Sequence, residues 1–142
     1  MAKSKVSYWL FKEEPSHYSF DDLEREGSTV WDGVKNNLAL KNLRQVKQGD
    51  RAFFYHTGKE KAVVGEMKVI SNPLPVEGED KLVTVEVESV RRLTPVTLAR
   101  IKEVEELQDW ELIRLSRLSI VPVSAEQWKL VLNLSRKSAS SE

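Results

Sequence analysis

The sequence predicts an α+β domain arranged around a mostly antiparallel, barrel-like sheet. Strand-patterned segments outnumber helical ones, and the central strands follow one another across short polar loops. Helix-start signals at Ser19 and Ser124 place helices before and after those strands.

Val6 to Phe11 reads as a buried strand, ended by the polar KEEP turn. Ser19 is suited to cap a short helix from Phe20, with acids in its first turn and Gly27 beyond its end. Thr29 to Asp32 is a short extended piece. Asn37 to Val46 reads as a helix, because Ala39, Leu43 and Val46 recur on one face. Arg51 to Thr57 and Ala62 to Ile70 predict a hairpin across the loop from Gly58 to Lys61. NPLPVEGED reads as a loop. Leu82 to Val90 alternates, with Val83, Val85 and Val87 on one face. Thr97 to Val104 and Trp110 to Leu115 look helical, and Leu118 to Val123 extended. Ser124 opens the last helix with a capping box, S-A-E-Q, and Trp128, Val131 and Leu132 form its inner face. Residues 1–134 are expected to form one domain, with residues 135–142 as a polar, frayed tail.

The chain of 142 residues is long enough to bury a core, and it has no cysteine. Disulfides and cysteine-ligated zinc are thereby excluded. No apolar run is long enough for a secretory signal or a membrane span, so a cytoplasmic protein with no membrane partner is expected. Basic and acidic residues balance at 22 each, which argues against holding long duplexes by bulk charge. The balance leaves room for one nucleotide in a pocket. Enzyme templates fit poorly: no glycine-rich phosphate loop or G-x-S-x-G is present, and the two histidines lack metal-ligand spacing. No catalytic residue, metal ligand or cofactor is assigned.

Aromatic and amide residues stand out instead. Trp31 lies in VWDGVKN, in polar company with Asp32, Gly33 and Asn36. An aromatic face can stack a base for about 1–3 kcal/mol. A carboxylate accepts from an exocyclic amine, and an amide can both donate and accept along a base edge. Trp9 lies inside the first strand. In Phe53-Phe54-Tyr55-His56, Phe53 and Tyr55 share one face and Phe54 and His56 the other. For each of these the alternative is an ordinary core role with the polar atoms satisfied inside the protein.

Four blocks resemble the EVE domain family: YWLFKEEPSHYSFDDL, VWDGVKNNLALKNLR, GDRAFFYHTG and SRLSIVPVSAEQW. The resemblance implies a PUA-like pseudobarrel, a mostly antiparallel sheet with flanking helices, and a non-enzymatic module that recognises a modified nucleobase in DNA or RNA. Methylated or hydroxymethylated cytosine and methylated adenine are the bases it implies. On that resemblance, Trp9 and Trp31 are expected as pocket walls and Lys12 at the pocket edge. Asp32, Asn36, Tyr55 and Ser119 are expected as polar or lining contacts, and His56 and Arg117 as phosphate or rim contacts. Lys35 replaces the family's usual arginine and so loses bidentate geometry. Leu38 and Leu40 replace a glutamine and an arginine, so either they face the core or that helix binds the backbone less well. Two other readings compete: a nucleotide-processing enzyme, and a protein-interaction module with a vestigial pocket.

Overall fold

The computed structural model describes residues 6–140. Among these residues, seven strands form one curled mixed sheet flanked by helices. In chain order the strands are β1 Tyr8–Glu13, β2 Ser28–Trp31, β3 Arg51–His56, β4 Ala62–Val69, β5 Leu74–Val76, β6 Glu79–Thr97 and β7 Ile120–Val123. The helices are α1 Phe20–Glu26, α2 Asn37–Leu43, α3 Leu98–Lys102, α4 Glu111–Arg114 and α5 Ala125–Ser140. The sheet order is β2-β6-β4-β3-β1-β7, with β5 paired to β6 off that path. Among the described residues only β1 and β3 run parallel; the other pairs are antiparallel. β2 and β7 stay at opposite edges, so the pseudobarrel is curled but not closed.

Both predicted helix caps form, and the one at Ser19 is a capping box like the one predicted at Ser124. Ser19 Oγ accepts from the Asp22 amide while Asp22 Oδ2 accepts from the Ser19 amide. Ser124 and Gln127 make the same reciprocal pair at the start of α5. Each satisfies two amides that a helix start leaves unpaired. Trp128 on α5 then stacks on Phe53 at 3.8 Å and on Tyr8 at 4.7 Å. This ties the last helix to the middle of the sheet.

Four expectations need correction. The expected NPLPVEGED loop contains β5, which returns through Gly78 into β6. The strand expected at 82–90 runs from Glu79 to Thr97, because the charges that break its alternation are paired. Arg91 and Arg51 both bind the buried Glu66, at 2.8 and 3.1 Å, and Arg92 bridges Asp21 and Glu24. The helix from Asn37 stops at Leu43 rather than Val46. The expected frayed tail continues α5 to Ser140, and Ser135 is buried with its hydroxyl donating to the Thr94 carbonyl at 2.9 Å.

Gly65 on β4 is where the sheet meets α1. A Cβ at this position would lie 2.3 Å from the Phe20 ring, which itself packs edge-on against Phe54. Gly65→Ala is therefore expected to destabilise the protein by about 1–3 kcal/mol, because a well-packed ring has no free rotamer to move into. Urea denaturation measures this; a change within about 0.5 kcal/mol would show that the helix–sheet contact yields easily.

Candidate nucleic-acid interface

Three loops meet at the end of β1: Glu14 to Ser19, Asp32 to Asn36, and the turn before β7. The Lys12 amide donates to the Ser119 carbonyl at 2.9 Å, and Asn42 Nδ2 of α2 donates to the Ile120 carbonyl at 2.8 Å. These bonds fix the start of β7 against both β1 and α2. Gly33, at φ +76°, turns the chain from β2 toward α2 with open space around it.

Trp31 closes β2. Its ring lies 5.2 Å from Phe11 and 5.3 Å from Phe54, tilted and edge-on, so neither ring stacks parallel on it. Trp9 and Trp110 donate their indole N–H groups to Asp50 Oδ2 and the Pro122 carbonyl, at 3.0 and 2.9 Å. The Trp31 N–H has no protein acceptor among the described residues. No fully buried side-chain nitrogen lacks a partner there, so this N–H is open to the surroundings. Trp128 also lacks an acceptor, but two rings, Tyr8 and Phe53, stack on it.

Trp31 lines a cavity of about 180 Å³ with Glu13, His17, Tyr18, Thr29, Val30 and Asp32. That is smaller than a drug-sized site and suited to a single ring. Glu13 Oε2 accepts from the Glu14 amide and faces His17 Nδ1, both at 3.1 Å, which leaves Oε1 without a partner. The exposed Asp32 carboxylate also makes no bond within the protein. Burial and the hydrogen bond to Glu26 push the Tyr18 phenol up to about 12, so it stays a neutral donor. The cavity thus offers an aromatic wall and two free acceptors. Its acids disfavour a phosphate and favour an amine.

The other expected site residues apart from Asp32 lie outside the Trp31 cavity. Lys12 and Tyr55 share a second cavity of about 270 Å³, where burial lowers the Lys12 ammonium and pushes the Tyr55 phenol up to about 12. Asn36 and Arg117 line a groove of about 330 Å³ with Leu38, Leu115 and Leu118. Ser116 belongs to both, so the groove and the Lys12 cavity adjoin. Ser119 is half-buried and meets β1 through its carbonyl. Trp9 lines a fourth cavity beside Gln45 and Pro122.

None of these cavities is lined by both Trp9 and Trp31. Alternation puts Trp9 and Phe11 on one face of β1, and it is Phe11 that meets Trp31. The expected two-tryptophan slot is therefore not formed. The Asn36 carbonyl oxygen caps α2 by accepting from the Ala39 amide at 3.0 Å, which leaves only its NH₂ for a ligand. His56 is turned inward: Nε2 accepts from the Phe20 amide at 3.0 Å and Nδ1 meets Glu60 at 2.7 Å. Its ring is committed inside the protein, not at a rim. Leu40 is in the core, while Leu38 is exposed. Sequence reasoning missed Glu13 and His17. Alternation along β1 was the usable signal for Glu13, since it shares the face of Phe11.

The EVE domain family's sequence model matches residues 7–134. This chain belongs to the EVE domain family. Human thymocyte nuclear protein 1 is 31% identical to this EVE domain over 97% of this chain and 78% of its own length. The Rpa0253 protein of Rhodopseudomonas palustris is 39% identical, with a TM-score of 0.87 over 93% of this chain and 94% of that one. Human THYN1 protein, solved in complex with 5-methylcytosine-containing DNA, is 30% identical, with a TM-score of 0.85 over 92% of this chain and 98% of that one. Among the described residues, no helix of this EVE domain is long and apolar enough to cross a membrane.

Proposed function

We propose that this EVE domain is a non-catalytic reader that takes one modified base of DNA into the Trp31 cavity. The observation that carries the reading is the pairing of the Trp31 wall, against which no aromatic ring lies parallel, with two unpartnered acceptors, Glu13 Oε1 and Asp32. A cytosine or adenine brings an exocyclic amine to such acceptors; a thymine does not. The THYN1 complex with 5-methylcytosine-containing DNA supports a methylated cytosine as the first ligand to test. A methyl group adds little area, so it is distinguished best inside a small desolvated space. Entry requires the base to leave its stack, which is cheapest in single strands and distorted sites. Leu38 alone on the exposed face of α2 is an ordinary surface feature and gives no separate support to a protein-docking role.

The test is a binding screen of short DNA and RNA strands carrying cytosine, 5-methylcytosine, 5-hydroxymethylcytosine or N6-methyladenine. A modified base should bind more tightly than its parent, with no product released. Asp32→Asn should weaken binding of the amine-bearing base about tenfold, or about 1.4 kcal/mol, by replacing a charged acceptor with a neutral one. It should leave a thymine-containing control unchanged. Few phosphates are engaged in single-base reading, so log affinity should fall with log salt at a slope no steeper than about −3. Equal loss for both bases, or a much steeper slope, would sink the reading.

A further inference from the structure

Adjacent residues of a strand point to opposite faces, so Lys12 turns away from the cavity that Glu13 enters. There it shares a hollow of about 270 Å³ with Lys61 and Lys102. The three lysines come from separate segments: the end of β1, the turn between β3 and β4, and the last turn of α3. None makes an ion pair with a carboxylate among the described residues. In a chain with 22 bases and 22 acids, that concentrates uncompensated positive charge at one place. The Lys12 ammonium donates to the Ser116 carbonyl at 3.0 Å and lies 5.5 Å from the Tyr55 ring centre. Both partners are neutral, and an ammonium has further protons to donate. The Glu14 carboxylate at the rim is turned to Thr57 Oγ1, at 3.2 Å, and to Ser16.

Backbone geometry points the same way. Lys61, at φ 45°, is the only non-glycine with positive φ among the described residues. A lysine in that conformation costs energy that a glycine would not. It is held there by the Leu98 amide, which donates to the Lys61 carbonyl at 2.8 Å and anchors the start of α3. That bond joins the turn carrying Lys61 to the helix carrying Lys102. A disfavoured backbone angle thus coincides with the convergence of three unpaired cations, the kind of strain that collects at ligand sites.

We infer that this cavity is a phosphate site, distinct from the base cavity and seating a phosphoryl group between Lys12, Lys61 and Lys102. Tyr55 and Leu112 line it. Contact with such walls lowers the local dielectric and strengthens each charge-assisted bond. The nucleic-acid reading above is needed only to name the source of the phosphate; the site itself stands on the lysines.

The test uses the whole chain with two exposed-lysine variants, Lys61→Gly and Lys102→Ala, because Lys12 is partly buried and also holds the Ser116 turn. Inorganic phosphate, titrated while amide resonances are followed, should shift Thr57, Gly58 and Ser116. Each variant should weaken phosphate and oligonucleotide binding about tenfold and reduce the salt slope by about one. Lys61→Gly should at the same time raise the melting midpoint by about 2–4 °C by relieving the backbone. That combination separates a site from a merely structural lysine. A modified nucleoside without phosphate should bind the variants as it binds the wild type. If no nucleoside binds while phosphate does, the base-reading proposal fails and the phosphate site stands. Preference for a 5′-phosphorylated strand over its unphosphorylated twin supports a terminal phosphate, and equal lysine-dependent binding supports an internal one. Phosphate binding with lysine-independent oligonucleotide binding supports a free phosphorylated small molecule instead. Absence of amide shifts at saturating phosphate, or unchanged phosphate affinity in both variants, overturns the inference.

Discussion

Replacing Trp31 by alanine is expected to abolish base binding and to cost about 3–5 kcal/mol of stability. Both effects come from one position. The ring is 5% exposed and sits against Phe11 and Phe54, so truncation leaves a hole in the core. The same ring walls the acidic cavity. Alanine alone cannot separate the two roles. Trp31→Phe can, because it keeps most of the packing while removing the indole N–H and part of the wall. The phenylalanine variant should stay folded and bind the modified base about tenfold more weakly. Denaturant unfolding gives the first quantity and calorimetric titration the second. Wild-type affinity in Trp31→Phe would show that the base is held elsewhere.

The second large effect is expected at Asp50. This carboxylate is fully buried yet accepts from the Ser7 and Lys47 amides, the Trp9 indole and the Lys47 ammonium. It links the start of β1 to the turn before β3. Asp50→Ala strands an indole N–H and two amides, and leaves an ammonium without its partner. A loss of about 3–5 kcal/mol follows, since the penalty falls on every group left behind. Asp50→Asn retains the acceptor oxygen and should lose less. Urea midpoints order the variants; an alanine loss below about 1 kcal/mol would mean that water replaces the carboxylate.

The helix starts were legible because capping is local: Ser19 with Asp22, and Ser124 with Gln127, are each set by residues three apart. β5 and the far half of β6 were not. Their strand character depends on pairing, and Arg91 and Arg92 look like loop residues until Glu66, Asp21 and Glu24 are brought opposite them. Within the site, Trp31 and Asp32 were legible from their own polar company. Trp9 was not separable from Trp31, because alternation fixes a face but not which neighbour fills it. Asn36 was ambiguous because the oxygen that reads a base also caps a helix, and the cap takes it. For His56, a distant amide, that of Phe20, decides the outcome. The three-lysine cavity is assembled from segments that share no sequence signal.

The parallel pairing of β1 with β3 has a kinetic consequence. Parallel neighbours cannot be joined by a hairpin, so the chain must leave the sheet and return. That excursion holds α1, β2 and α2, and with them Trp31 and Asp32. It closes only when Tyr8 finds its register opposite Arg51. Loop entropy is spent before those contacts give anything back, so the base cavity is expected to be a late event in folding. Trp31, which walls it, packs on Phe11 and Phe54 of the inner strands β1 and β3. The Phe11 and Phe54 amides, on those inner strands, should therefore exchange with solvent only through global opening, and at the global free energy. A base bound there would slow exchange throughout the sheet, not just at the cavity, because it draws on the population of the folded chain as a whole.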